Sequence, residues 1–185
     1  MFDKILLPLD GSDLAEVAVP YVEALAGPLN ATVHLLVVVP SPSGRTGGTF
    51  RAATSYLSSL RLPRSEEDLD IAQHPIYKES EMASLESDAK RILLPVADRM
   101  RSKGIKTEVA VYFGRPAGGI LHYAKDFKVN LIVMCTHGEG GPDPYAFGPT
   151  ADRVARRATA PVMLIRPEEV IRLLPLPASL RETHE

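Results

Sequence analysis

The residues best suited to chemistry stand just behind two short apolar runs. KILLPL at 4–9 is followed by Asp10, Gly11 and Ser12, and VNLIVMC at 129–135 by a glycine-rich stretch ending in PYAFGPT at residue 150. Glycines let a backbone turn so that its amides point inward. A helix beginning at such a turn adds unpaired N–H groups and a partial positive charge. Together these make an anion site, for phosphate above all. In open α/β sheets ligands sit beyond the carboxyl ends of the strands, where strand order reverses, so these two turns are the candidates.

The familiar nucleotide motifs do not account for them. Gly138 and Gly140 begin a G-x-G, but position 143 is Asp and the loop follows a late strand, so no dinucleotide fingerprint is present. No Walker A pattern occurs anywhere in the chain. What remains is a spacing: Gly138, nine residues, then Gly148, between a strand and a helix. Catalytic constellations are no better supported. Asp10, Ser12 and His137 name a triad, yet no nucleophile elbow surrounds Ser12. Cys135 and His137 share one side of an extended chain but lack a third, orienting group. His34, His74, His122 and His184 are scattered without metal-ligand spacing. Cys135 is the single cysteine, which excludes an intramolecular disulfide and a cysteine-based zinc cluster. Arg153, Arg156 and Arg157 read best as a solvated helix face.

The elements that must position these turns alternate. KILLPL and TVHLLVVV (32–39) are continuous Val, Ile and Leu runs of the kind covered on both faces in a parallel sheet. Between them Leu14, Ala18, Tyr21, Val22 and Leu25 fall at helical spacing, with Ser12 or Asp13 as N-cap, Gly27 as terminator and Pro20 bending the helix. A second helix is predicted over 78–103, ending at Gly104, then an alternating strand at 106–114. PAGGILHYAKDF forms a third helix, 129–135 a fourth strand, TADRVARRAT a fourth helix and PVMLIRP a fifth strand. This is an α/β sandwich with right-handed crossovers.

Length and charge agree with one domain. The 185 residues exceed roughly 150, so one domain at 1–167 with a surface insertion at about 40–77 and a C-terminal extension at 168–185 is expected. Val170, Ile171, Leu173, Leu174 and Leu176 make that extension apolar enough to pack on something, a neighbouring subunit being one candidate. A net charge of -2 provides no field for a polyanion, so nucleic acid is not an expected partner. No apolar run approaches the roughly 18 to 20 residues of a membrane span, and the start MFDKILLPLDGS lacks signal-peptide features, so a cytoplasmic protein is expected. If PVMLIRP is the sheet edge, its open backbone is a template for a second copy.

At this point the chain resembles the universal stress protein family. KILLPLDGS, VPY at 19–21, GRPAGGIL at 114–121, LIVMCTHG at 131–138 and PVMLI at 161–165 stand in that family's order. The resemblance implies a three-layer, Rossmann-like α/β sandwich with a five-stranded parallel sheet and an insertion after strand two. It also implies a homodimer through residues 161–167 and a division between members that bind ATP and members that do not. The binding class resembles G-x-x-G, nine residues, G-[ST], which falls here on Cys135, Gly138, Gly148 and Pro149, two of the four changed in type. By the same resemblance Pro8, Leu9, Asp10 and Val38 line the adenine and ribose pocket, with Asp10 accepting a hydrogen bond. Met134, His137, Gly138, Gly148 and Thr150 lie around ribose and phosphates. Cys135 adds a side chain where close backbone approach is expected, and Pro149 brings neither an N–H nor a hydroxyl. The implied function is a sensor or regulator binding ATP or AMP, with Mg2+ only alongside the nucleotide and at most slow hydrolysis. The alternatives are a member that has lost the nucleotide and serves as a protein-interaction module for an unknown partner, and an enzyme transferring adenylyl groups.

Overall fold

The computed structural model describes residues 2–39, 75–137 and 147–167. Residues 40–74 of the insertion expected at about 40–77, Gly138 with the rest of the loop to 146, and the expected extension from 168 lie outside the described residues, while 75–77 belong to a helix. Ten elements follow in order: β1 (Lys4–Pro8), α1 (Asp13–Glu16), α2 (Val19–Leu29), β2 (Thr32–Val39), α3 (Pro75–Ser102), β3 (Lys106–Phe113), α4 (Pro116–Asp126), β4 (Leu131–Cys135), α5 (Pro149–Arg157) and β5 (Val162–Ile165). The sheet is five-stranded and parallel throughout, in the order β3-β2-β1-β4-β5. Sequence order therefore reverses between β1 and β4.

Two apolar layers enclose the sheet, and the strands divide their side chains between them with a period of two. Ile5, Leu7, Val33, Leu35, Val37, Leu131, Val133 and Cys135 face α1, α2 and α3. Leu6, Leu36, Ile132 and Met134 face α4 and α5. The helix between β1 and β2 differs from its prediction. Pro20 cannot donate a backbone hydrogen bond, and the helix stops at Glu16 and restarts at Val19, with Pro20 at the start of α2, where a missing N–H costs nothing. The break shifts the helical phase, so Tyr21, expected in the core, is exposed. Gly27 does not end the helix either. Asn30 does, in the left-handed conformation (φ 48°), its N–H reaching the carbonyls of Ala26 and Gly27.

Among the described residues β5 pairs only with β4 and is an edge of the sheet, as is β3 at the far side. The carbonyls of Pro161 and Ile165 accept from Ile132 and Thr136 of the β4 side. By the alternation of backbone groups along a strand, Val162 and Leu164 consequently turn theirs outward.

Candidate functional site

The turn after β1 is held by its own side chains. Gly11 has φ +84°, a conformation that favours glycine, and a Cβ there would stand 3.2 Å from Cγ2 of Ile92 on α3. Ser12 donates from its N–H (3.0 Å) and its hydroxyl (2.6 Å) to Oδ1 of Asp10, while Ser12 Oγ accepts the Ala15 amide at 3.2 Å and caps α1. Asp10 is thus fixed in direction although exposed, just beyond the carboxyl end of β1.

The facing turn closes on β4. Thr136 donates its amide to Ile165 and accepts the Gly148 amide at 2.8 Å, so the start of α5 is tied to the end of β4. A Cβ on Gly148 would lie 3.2 Å from the Thr136 carbonyl oxygen, which is tighter than ordinary contact and explains the glycine. Among the described residues no side chain caps α5. Its first residue, Pro149, has no N–H, and the Asp152 amide is taken by the Gly148 carbonyl at 3.0 Å. Two amides of the first turn, Thr150 and Ala151, have no partner among the described residues.

Neither departure from the motif spacing fills this mouth from the sites that the structure gives them. The Cys135 side chain turns away, into the layer under α1, with Sγ 3.6 Å from the Ala15 carbonyl. Burial pushes its thiol up to about 12, so Cys135 is no nucleophile at neutral pH. Pro149 is exposed. Next to Gly148, His137 is buried at 5% exposure, its Nδ1 2.8 Å from the Thr136 hydroxyl. Its Nε2 has no partner among the described residues. When the Thr136 hydroxyl donates to Nδ1, the neutral ring carries its proton on Nε2, a buried donor costing about 1–3 kcal/mol until something accepts from it.

The remaining predicted residues divide by face. Met134 (7% exposed) and half-buried Val38 belong to the α4–α5 side, as do Thr150 and the start of α5. Leu9 is buried on the α1–α3 side, its amide donating to Leu36 at 2.8 Å, and Pro8 is half-buried at the end of β1. Among the described residues no three His, Cys, Asp or Glu side chains gather into a metal-holding group.

This geometry accords with what the chain is similar to. The family described as the universal stress protein family matches residues 1–166. The chain belongs to the universal stress protein family. The universal stress protein YxiE of Bacillus subtilis is 28% identical over 166 residues, covering 90% of this chain and all of that one. The solved structure of MJ0577, a universal stress protein of Methanocaldococcus jannaschii, has a TM-score of 0.66 at 22% identity, over 90% of this chain and 97% of the other. A universal stress protein solved in complex with cAMP has a TM-score of 0.56 at 20% identity, over 89% and 97%.

Sequence reasoning missed the groups behind the site. Ile92 of α3 packs on Gly11, and Tyr112 of β3 lies beside Val38 with Gly119 of α4 against both. Phe147, next to Gly148, carries the Arg166 guanidinium 5.9 Å from its ring centre. These pairs join distant parts of the chain. The GG of PAGGIL was the one visible signal, since two glycines inside a helix oppose its propensity.

Proposed function

We propose that this universal stress protein binds an adenine nucleotide, AMP or ATP, between the β1 and β4 turns, and works as a homodimeric sensor or regulator in the cytoplasm. The observation that carries this reading is the pair of amides at Thr150 and Ala151, without partners among the described residues, beside exposed Pro149 and with the Cys135 side chain turned inward. They would meet phosphate oxygens, His137 Nε2 would donate beside them, and Asp10 would accept from a ribose hydroxyl. Val38 and Met134 would supply apolar surface for the base. A family member in complex with cAMP supports an adenine nucleotide as the ligand class. Magnesium would arrive with the phosphates, since Asp10 is the one predicted site residue with a carboxylate. Among the described residues nothing at the site supplies a general base matched to a phosphate-clamping lysine, and binding is the proposed activity, with at most slow hydrolysis. The outward backbone groups of β5, together with Met163 at 36% exposure, support pairing with a second copy at 161–167.

The test is to denature the purified protein, assay the supernatant for adenine nucleotide, and titrate refolded, ligand-free protein with AMP and ATP. Binding that weakens at least about tenfold in Asp10→Ala is the expected result. One observation favours a second reading, in which the protein is an interaction module without nucleotide: Pro149 deletes an N–H and a hydroxyl from the mouth. Wild type that binds neither nucleotide would put that reading first. Sedimentation should show a dimer that Met163→Lys dissociates, because a charge on a pairing edge opposes association.

A further inference from the structure

We propose that Gly119 is a positioning residue for the base, holding Val38 and Tyr112 where they form one wall of the nucleotide pocket; this rests on the binding reading above. A Cβ placed on Gly119 would stand 2.8 Å from Cδ1 of Tyr112 and 2.8 and 2.9 Å from Cγ1 and Cγ2 of Val38, closer than real contacts allow. Val38 has no rotation to escape with. Its two methyl groups occupy two of the three staggered positions about its Cα–Cβ bond, so every other rotamer leaves at least one of those positions filled. Tyr112 is held as well. Its hydroxyl meets Nδ1 of His122 at 3.3 Å, which ties the ring to α4.

The neighbouring residue shows that this closeness is particular to one position. A Cβ on Gly118 would meet nothing within 4 Å. Glycine inside a helix opposes helix formation, so its presence at residue 119 needs a packing reason, and the approach of α4 to Val38 is that reason. Val38 and Tyr112 are register partners at the carboxyl ends of β2 and β3. A methyl group at 119 must therefore push Val38 and Tyr112 off their places or draw α4 away from the sheet; either displaces the apolar wall, and the first does so without moving the Thr150 and Ala151 amides.

The experiment compares two ligands on ligand-free protein: AMP, and ribose 5-phosphate, which has a phosphate and no base. Gly119→Ala should weaken AMP at least about tenfold and change ribose 5-phosphate by less than about twofold, with Gly118→Ala matching wild type for both. Should Gly119→Ala fail to fold, the triple variant Gly119→Ala/Val38→Ala/Tyr112→Ala removes both overlapping side chains and is read in its place, against Val38→Ala/Tyr112→Ala, whose AMP affinity it should match. Equal losses for the two ligands, or AMP binding unchanged in Gly119→Ala, would overturn the role of Gly119. Failure of wild type to bind AMP would instead overturn the nucleotide reading, and this inference with it.

Discussion

Replacing Pro149 with Ser separates what the mouth of α5 lacks from what it retains. As built, its first turn presents two amides, Thr150 and Ala151, and no hydroxyl at residue 149. Pro149→Ser adds one N–H and one hydroxyl at that position. A hydrogen bond to a charged group contributes about 1.5–3 kcal/mol, so one net new bond to phosphate should tighten ATP by about 10- to 150-fold. Pro149→Ala adds the N–H alone and should fall between the two. Stability should move in the opposite direction. Proline at the first helical position stiffens the unfolded chain, and losing it costs about 0.4–1 kcal/mol, or about 1–4 °C for a domain of this size. Calorimetric titration of ligand-free protein gives the affinities, and thermal unfolding without nucleotide gives the cost. Tighter binding from a slightly less stable protein is the signature. Pro149→Ser that loses stability and binds ATP no better would refute the placement of phosphate at this helix start.

Three further outcomes test other parts of the structure. Cys135→Ala should cost about 1–3 kcal/mol in denaturant unfolding and leave nucleotide affinity unchanged, because Sγ is buried toward Ala15 rather than the mouth. His34, 3% exposed, has its pKa lowered mainly by burial, with Lys4 acting the same way and Glu108, 3.4 Å away, opposing. The unfolded chain then takes up a proton at His34 before the folded one does, so stability falls as pH drops below 6.5, by at most about 1.4 kcal/mol per pH unit. In His34→Gln, pH-dependent denaturant unfolding should show that limb flattened; an unchanged limb assigns it to other groups. Between α2 and α3, Glu23 is raised by burial but held low on balance by hydrogen bonds from Lys103 and Arg99, at 2.7 and 2.9 Å. Glu23→Gln should lower stability by about 1–2 kcal/mol at low salt and by less at high salt, and a loss independent of salt would show that packing dominates there.

Much of this architecture was open to sequence reasoning because its signals are local. An apolar run such as Val33–Val39 has to be covered on both faces, which specifies a parallel sheet, and the alternation of strands and helices specifies its crossovers. Ser12 could be read as a cap because it acts on Ala15, three residues on, and Gly148 as the close of a turn because a helix starts directly after it. The landmarks of the universal stress protein family are likewise contiguous segments. The helix after β1 shows how narrow the margin was. Whether Pro20 bends a helix or starts a new one depends on what the flanking residues can bury, and that is decided by the sheet beneath them.

Tertiary structure alone decided which way each side chain of the candidate site faces. Cys135 stood in sequence as an obstacle to a ligand. In the fold, the period of two along β4 sends it to the α1 side and sends Met134 to the α5 side. The pairs Ile92 with Gly11, Phe147 with Arg166 and Gly119 with Val38 and Tyr112 exist only after the chain has closed. Sequence patterns record how each segment divides its surface between apolar and polar. They do not record which apolar surfaces come within 3 Å of each other, because that distance depends on the summed volumes of residues far apart in the chain.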